Sequence, residues 1–256
     1  MISISTWIFL IMAAGFAGFV DAVAGGGGLV QLPALLIGLN GKPIPLILGT
    51  NKVPSIFGTS SAAVNYFRKL RPDLLLTVFM AIPAFIGSAI GAHLTTLIPT
   101  KTFQPIIFIA LIIVALYTWK RPEFGKEEIL KYGRKKSTVI ASLLGTLIGF
   151  YDGIFGPGTG TFLIFLLVGV LGYPFLKASA TAKIVNVGTN LAAILTFQFS
   201  GHIWWQIGLP LAIANMTGAL IGSALAIKGG SIWIRKIFLL VVCCLILKLG
   251  YSFFIS

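Results

Sequence analysis

Long apolar stretches with few charges recur from one end of this chain to the other, and they constrain its fold more than any other feature. A bilayer core about 30 Å thick needs roughly 20 consecutive apolar residues per helical crossing. Charged residues make up only 10% of the 256 positions, whereas soluble domains carry about 25%. The sequence therefore predicts an all-α polytopic membrane protein that crosses the cell inner (cytoplasmic) membrane several times and is surrounded by lipid.

Polar breaks divide the chain into ten predicted apolar segments, at residues 3–22, 28–39, 44–66, 74–95, 102–119, 137–151, 158–171, 175–198, 204–227 and 232–254. Two of them, 28–39 and 158–171, are too short to cross a bilayer as straight helices. Both follow a glycine-rich break, which is typical of the discontinuous helices of secondary transporters. We expect half-helices, or partners in broken helices, at these two positions.

The chain contains an internal repeat. Asp21 and Asp152 lie in the matching contexts GFVD and GFYD, at a separation of 152 − 21 = 131 positions. The same offset continues without a gap and pairs further residues of identical type, among them Gly25 with Gly156, Thr50 with Thr181, and Lys52 with Lys183. We interpret residues 1–119 as a first transmembrane repeat, 120–136 as a cytoplasmic linker loop and 137–256 as a second transmembrane repeat. Because each repeat has an odd number of segments, the second is expected to enter the membrane from the opposite side.

The distribution of positive charge supports this orientation. The net charge is +13, and Lys and Arg lie mainly in short loops between the apolar segments. This distribution follows the positive-inside rule and does not indicate nucleic acid binding. The loop at 68–73 is basic, whereas its repeat mate at 200–204 carries no formal charge. We therefore expect the basic loops in the cytoplasm and both termini outside.

Two acids and two lysines lie at matching positions in the two repeats. Of the six acids, four lie in loops, and the remaining two are Asp21 and Asp152. Ionisable groups in membrane segments are costly, so the two are expected to serve coupling or to form a structural ion pair. Lys52 and Lys183 each follow their acid by 31 positions (52 − 21 and 183 − 152). Each lysine either offers a charge to an anion, snorkels to an interface, or pairs with the Asp of its own repeat.

The glycine-rich breaks are the best candidates for a binding site. Glycine lets main-chain N–H groups approach a ligand closely, and a helix N-terminus favours an anion. Two half-helices that point at the membrane midplane from opposite sides would provide two such ends. Other repeated glycines, Gly87, Gly91, Gly218 and Gly222, are expected to serve helix packing. The predicted substrate-binding residues are Gly25, Gly26, Gly27, Gly28, Asn51, Lys52, Gly156, Gly158, Thr159, Thr181, Lys183 and Asn186.

Neither catalysis nor a metal site is indicated by the sequence. The two histidines, His93 and His202, are not repeat mates, and no HExxH, GxSxG or P-loop pattern occurs. We therefore expect no enzyme activity, no metal and no cofactor. The energy for transport would come from an ion gradient, with protons or sodium as the candidate coupling ion, or from the gradient of the substrate itself.

The quoted motifs resemble the sulfite exporter TauE/SafE family. The similarity lies in GFVDAVAGGGGLVQLP, LGTNKVPS, GFYDGIFGPGTGTF and ATAKIVN, and it covers both repeats. It implies a membrane protein that moves sulfite, sulfonates or related sulfur anions, often as an exporter. The residues that match the family motifs are Asp21, Gly25, Gly27, Thr50, Asn51 and Lys52, then Asp152, Gly156, Gly158, Thr181 and Lys183.

The second repeat departs from the first at two of these positions, with Ala182 in place of Asn51 and Pro157 in place of Gly26. The two half-sites are therefore expected to share the work unequally. The leading hypothesis is a secondary transporter that exports a small sulfur-containing anion by alternating access. An anion channel, an uptake carrier for an organosulfonate or other small organic anion, and a membrane protein without transport are the alternatives, and a homo-oligomer is left open.

Overall fold

A computed structural model of the chain describes residues 3–95 and 127–254, together with the isolated positions 112, 120 and 125. These described residues form helices and connecting loops without any strand, as the all-α prediction requires. The predicted segment 102–119, apart from residue 112, lies outside the described residues, as do residues 121–124 and 126 of the linker.

Four helices occupy the described part of the first half, namely α1 (Ile4–Ala24), α2 (Gly28–Gly38), α3 (Ile44–Leu70) and α4 (Leu74–Leu94). The second half contains α5 (Arg134–Ile154), α6 (Thr159–Leu166) with a π-helical turn (Leu167–Leu171), α7 (Phe175–Phe199) and α8 (Trp205–Phe254). Helix α8 covers two predicted segments and is interrupted at Gly230, whose φ of 70° is not helical.

Five of these helices are long and apolar enough to cross a membrane: α1, α4, α5, α7 and the Trp205–Ile234 part of α8. Helix α3 is 27 residues long but is less apolar, because it carries Lys52, Arg68 and several polar side chains. Helix α2 has 11 residues and spans only about 16 Å at 1.5 Å per residue. Helix α6 is shorter still, with 8 residues. The prediction of two short helices after glycine-rich breaks is therefore confirmed.

The helices of the two halves pack together in reciprocal pairs. Helix α1 packs along α8, and α4 packs along α5. In the sequence repeat α5 corresponds to α1, and α8 corresponds to α4, so the second contact is the counterpart of the first. Helices α3 and α7, which also correspond, contact each other, and they pack against α8 and α4 respectively.

Small residues allow close approach at both reciprocal contacts. A Cβ added to Gly218 on α8 would lie 1.9 Å from the main-chain oxygen of Gly15 on α1, and one added to Gly87 on α4 would lie 2.5 Å from that of Thr146 on α5. Gly91 and Gly222 are equally crowded by main-chain atoms. No side chain fits at such distances, so the packing role predicted for these glycines is confirmed.

The loops meet at two ends of the helix bundle. At one end Asp73, before α4, and Tyr173, before α7, line the same surface pocket. At the other end the ammonium of Lys42, before α3, lies 5.2 Å from the ring centroid of Trp204, before α8. At the offset of 131, Trp204 is the mate of Asp73 and Tyr173 is the mate of Lys42. The mates thus occur at opposite ends of the described part of the protein.

Candidate functional site

The first break separates α1 from α2. Helix α1 ends at Ala24 because Gly25 adopts a left-handed φ of 76°, a conformation that glycine tolerates. The N–H of Gly25 donates to the main-chain oxygen of Asp21 at 2.8 Å. Helix α2 then begins at Gly28. The carboxylate of Asp21 therefore extends from the last turn of α1, beside the N-terminus of α2.

The second break has the same construction and touches the first. Helix α5 ends at Ile154, and α6 begins at Thr159 after Gly156 and Gly158, which have φ values of 90° and 86°. The N–H of Thr161 donates to the main-chain oxygen of Gly25 at 3.2 Å. A Cβ at Gly160 would lie only 2.6 Å from the Cα of Gly25. The backbones of the two breaks are therefore in direct contact.

Lys52 of α3 forms a buried ion pair with Asp152 of α5. Its ammonium lies 2.8 Å from the carboxylate Oδ2, and it donates to the main-chain oxygen of the same residue at 2.8 Å. Only 4% and 3% of the two side chains is exposed. The hydroxyl of Thr159, at the start of α6, lies 2.7 Å from the other carboxylate oxygen. The ion pair thus joins α3 to the second break.

Lys183 of α7 forms the reciprocal pair with Asp21 of α1. The ammonium lies 2.8 Å from the carboxylate Oδ2 and also donates to the main-chain oxygen of Asp21. The hydroxyl of Thr59 donates to the same carboxylate at 3.2 Å. Neither lysine reaches an interface, and neither pairs with the Asp of its own repeat. Those two interpretations are wrong, because the packing of the helices brings each lysine against the acid of the other half.

A small polar cavity lies where the two breaks meet α3 and α7. We call it the central cavity, and its volume is about 20 Å³. Its lining is drawn equally from both halves and includes five pairs of repeat mates. The lining residues are Asp21, Gly25, Gly28, Asn51, Lys52, Ser55 and Thr59 from the first half, and Asp152, Gly156, Gly158, Thr159, Gly160, Asn186 and Asn190 from the second.

The structure brings together most, but not all, of the residues predicted from the sequence. Of the predicted set, Gly26, Gly27, Thr181 and Lys183 do not line the central cavity. Lys183 is fully buried behind Asp21. The predicted set omitted Ser55, Thr59, Gly160 and Asn190, which do line the cavity. The signal for three of them was spacing: Ser55 and Thr59 follow Asn51 at intervals of four on α3, and Asn190 follows Asn186 at the same interval on α7.

Asn51 is the most unusual polar side chain of the cavity. It is 3% exposed, and its Oδ1 has no hydrogen-bond partner among the described residues. A buried polar atom without a partner is costly and therefore calls for an explanation. Its repeat mate is Ala182, which cannot offer a polar group. Thr181 also has a buried hydroxyl without a partner, but it lies outside the cavity lining.

Bilayer-length helices around a buried polar cavity define a multi-pass membrane protein. The chain matches the family described as "Sulfite exporter TauE/SafE" over residues 10–249, and it belongs to that family. No solved structure matches the chain.

Three relatives are named as membrane transporters. The chain is 38% identical to "Probable membrane transporter protein ORF9" of Sinorhizobium sp, over 94% of this chain and 91% of that protein. It is 34% identical to a "Probable membrane transporter protein" of Haemophilus influenzae, over 95% and 94% of the two chains. It is 32% identical to "Probable membrane transporter protein YfcA" of Escherichia coli strain K12, over 95% and 89%. Membrane transport is thus the activity named throughout these relatives.

Proposed function

We propose that this protein is a secondary transporter that moves a small sulfur-containing anion, such as sulfite or a sulfonate, through the central cavity by alternating access. Export is the direction that the description of the family names. The observation that carries the proposal is the composition of the cavity, which combines an ammonium group with the ends of two short helices.

The groups around the cavity suit an oxyanion. The ammonium of Lys52 supplies a positive charge, and the amide of Asn51 supplies a neutral donor. Within the described part of the chain, the N–H groups of Gly28 and Gly160 donate to no main-chain carbonyl, and both glycines line the cavity. Unpaired N–H groups at a helix N-terminus favour an anion. A sulfite or sulfonate oxygen could accept hydrogen bonds from all of these groups.

An inverted arrangement of the two repeats supports alternating access. The reciprocal contacts of α1 with α8 and of α5 with α4 are those that a two-fold relation between the halves would produce. The position of loop mates at opposite ends of the bundle agrees with an axis in the membrane plane. In transporters of this kind the substrate binds between the repeats, and one repeat rocks against the other.

The central cavity is too small for the proposed substrate in this structure. A volume of about 20 Å³ holds roughly one water molecule, whereas sulfite has four heavy atoms. The substrate therefore enters only when the two breaks move apart on one side of the membrane. The two discontinuous helices, one from each half, favour a carrier over a channel.

The test is transport of radiolabelled sulfite in proteoliposomes. The variant Lys52→Met/Asp152→Leu removes the ammonium without leaving a buried unpaired acid. We expect its rate of sulfite transport to fall by at least about tenfold. The matched control is Lys177→Met, because Lys177 forms an exposed ion pair with Glu128 on the surface. Unchanged transport in the double variant, with both proteins monodisperse in detergent, would contradict the proposed site.

A further inference from the structure

The charges around the central cavity cancel before any substrate enters. Lys52 and Asp152 form one ion pair, and Lys183 and Asp21 form the other. No other charged side chain of the described residues lines the cavity. A monovalent anion that enters this neutral cluster adds one negative charge to a region from which water is largely excluded. An uncompensated buried charge is strongly unfavourable, so the anion needs a positive partner that travels with it.

The carboxylates of Asp21 and Asp152 differ in the contacts that they make. The Oδ2 of Asp21 accepts hydrogen bonds from Lys183 and from Thr59, and Lys183 lies outside the cavity lining. The Oδ2 of Asp152 is buried, and its contact among the described residues is the ammonium of Lys52, 2.8 Å away. Lys52 also donates to the main-chain oxygen of Asp152 at 2.8 Å.

The pair of Lys52 and Asp152 is the one whose lysine lines the central cavity. Both Lys52 and Asp152 line the central cavity, so an arriving anion can take Lys52 as its partner without displacing any other side chain. Asp152 then keeps a single hydrogen bond, from the hydroxyl of Thr159. The anion would therefore leave the buried charge of Asp152 without its positive partner.

Building on the proposed function, we infer that the protein is a proton–anion cotransporter in which Asp152 takes up one proton for each monovalent anion that binds Lys52. The proton comes from solvent, and no covalent bond of the anion changes. The loaded site is again neutral, because the anion balances Lys52 and the second ion pair is untouched. Net export then occurs whenever the outward anion gradient exceeds the opposing proton gradient.

Few other groups near Asp152 compete for this proton. Lys52 faces it from α3, and the Lys183–Asp21 pair joins α7 to α1 on the other side of the two breaks. On its own helix, the hydroxyl of Tyr151 donates to the main-chain oxygen of Pro157. The remaining polar groups of the lining are neutral amides and hydroxyls. Asp152 is therefore the group that we assign to the transported proton.

Methanesulfonate is a suitable probe, since it stays a monovalent anion throughout the working pH range and any proton taken up must bind the protein. Its binding to the purified wild-type protein is measured by calorimetry in two buffers with different enthalpies of protonation. We expect uptake of one proton per anion and an affinity for methanesulfonate that weakens as the pH rises. Binding without proton uptake, or binding that requires sodium instead, would overturn the inference.

Transport in liposomes loaded with a pH-sensitive dye provides the second readout. Wild-type uptake of methanesulfonate should acidify the lumen and should be insensitive to a valinomycin-imposed potential. Asp152→Asn should carry the anion without acidification and should respond to the potential, because its site holds an unbalanced ammonium. Glu128→Gln, which alters an exposed surface pair, is the matched control and should acidify like the wild type. One proton per anion in Asp152→Asn would refute the assignment, whereas a wild-type protein that transports no anion would refute the proposed function itself.

Discussion

The buried ion pairs predict an unequal response to the loss of a single lysine. Lys52→Met leaves Asp152 buried without its partner, and such a loss typically costs about 3–5 kcal/mol of the free energy of unfolding. The pair between Lys177 and Glu128 has side chains that are 42% and 34% exposed. Exposed pairs are worth about 0.2–1 kcal/mol, so Lys177→Met should cost no more than that.

The double variant separates the cost of an unpaired charge from the value of the ion pair. Replacing a buried ion pair by apolar side chains of similar volume is often neutral for stability. We therefore expect Lys52→Met/Asp152→Leu to lie within about 1 kcal/mol of the wild type. The two single variants and the double variant form a thermodynamic cycle, and with a loss of about 3–5 kcal/mol in each single variant the interaction energy should be at least about 5 kcal/mol, above the usual range for residues in contact.

The measurement is thermal unfolding in detergent, followed by the fluorescence of the five tryptophans. For a chain of this size, 1 kcal/mol corresponds to about 2–4 °C in Tm. Lys52→Met should therefore lower Tm by roughly 6–20 °C, and Lys177→Met by less than about 4 °C. Equal shifts in these two variants, or a double variant less stable than either single one, would refute the reasoning that the central pair is a desolvated charge pair.

Two further variants test separate features, namely the contact between the two glycine-rich breaks and the role of the Asn51 side chain. Gly160→Val should abolish sulfite transport, because its Cβ would lie 2.6 Å from the Cα of Gly25. The control is Gly133→Ala, whose added Cβ has nothing within 4 Å. Equal transport activity in the two variants would contradict the close contact between the breaks. Asn51→Ala should raise the KM for sulfite about tenfold, equivalent to about 1.4 kcal/mol. The Tm of this variant should stay the same or rise, because the substitution removes a buried oxygen that has no hydrogen-bond partner among the described residues. A lower Tm with an unchanged KM would mean that Asn51 serves packing and not substrate binding.

The sequence allowed the main components of the cavity to be predicted because ionisable residues are rare in apolar segments. Asp21, Asp152 and Lys52 were identified on that ground, and all three line the cavity. The constant offset of 131 also paired the glycine-rich breaks correctly with each other. Periodicity was less informative, since the interval of four between Ser55 and Thr59 is equally typical of hydrogen bonds between helices.

The partners of the lysines could not be predicted from the repeat alone. An offset within one chain relates Lys52 to Lys183, but it does not say whether each lysine faces its own acid or that of the other half. The answer depends on the reciprocal packing of long helices, which rests on contacts such as that of Gly218 with Gly15. The same limit explains why Lys183 was assigned to the site although it lies behind Asp21.

Each ion pair joins a lysine of one half to an acid of the other half. This arrangement affects how the proposed transport cycle can open the cavity first to one side of the membrane and then to the other. Each lysine binds both the carboxylate and the main-chain oxygen of an acid in the last turn of a broken helix, and so ties that helix end to the other half. An anion that takes Lys52 would weaken the tie between α3 and α5, while Lys183 still holds α7 to α1. The halves could then hinge at one break without separating at the other. The two ion pairs, although they lie at equal positions in the two repeats, would then behave differently: the anion weakens Lys52–Asp152 and leaves Lys183–Asp21 intact. The sequence has a matching asymmetry, because the neighbour of Lys52 is Asn51 and the neighbour of Lys183 is Ala182.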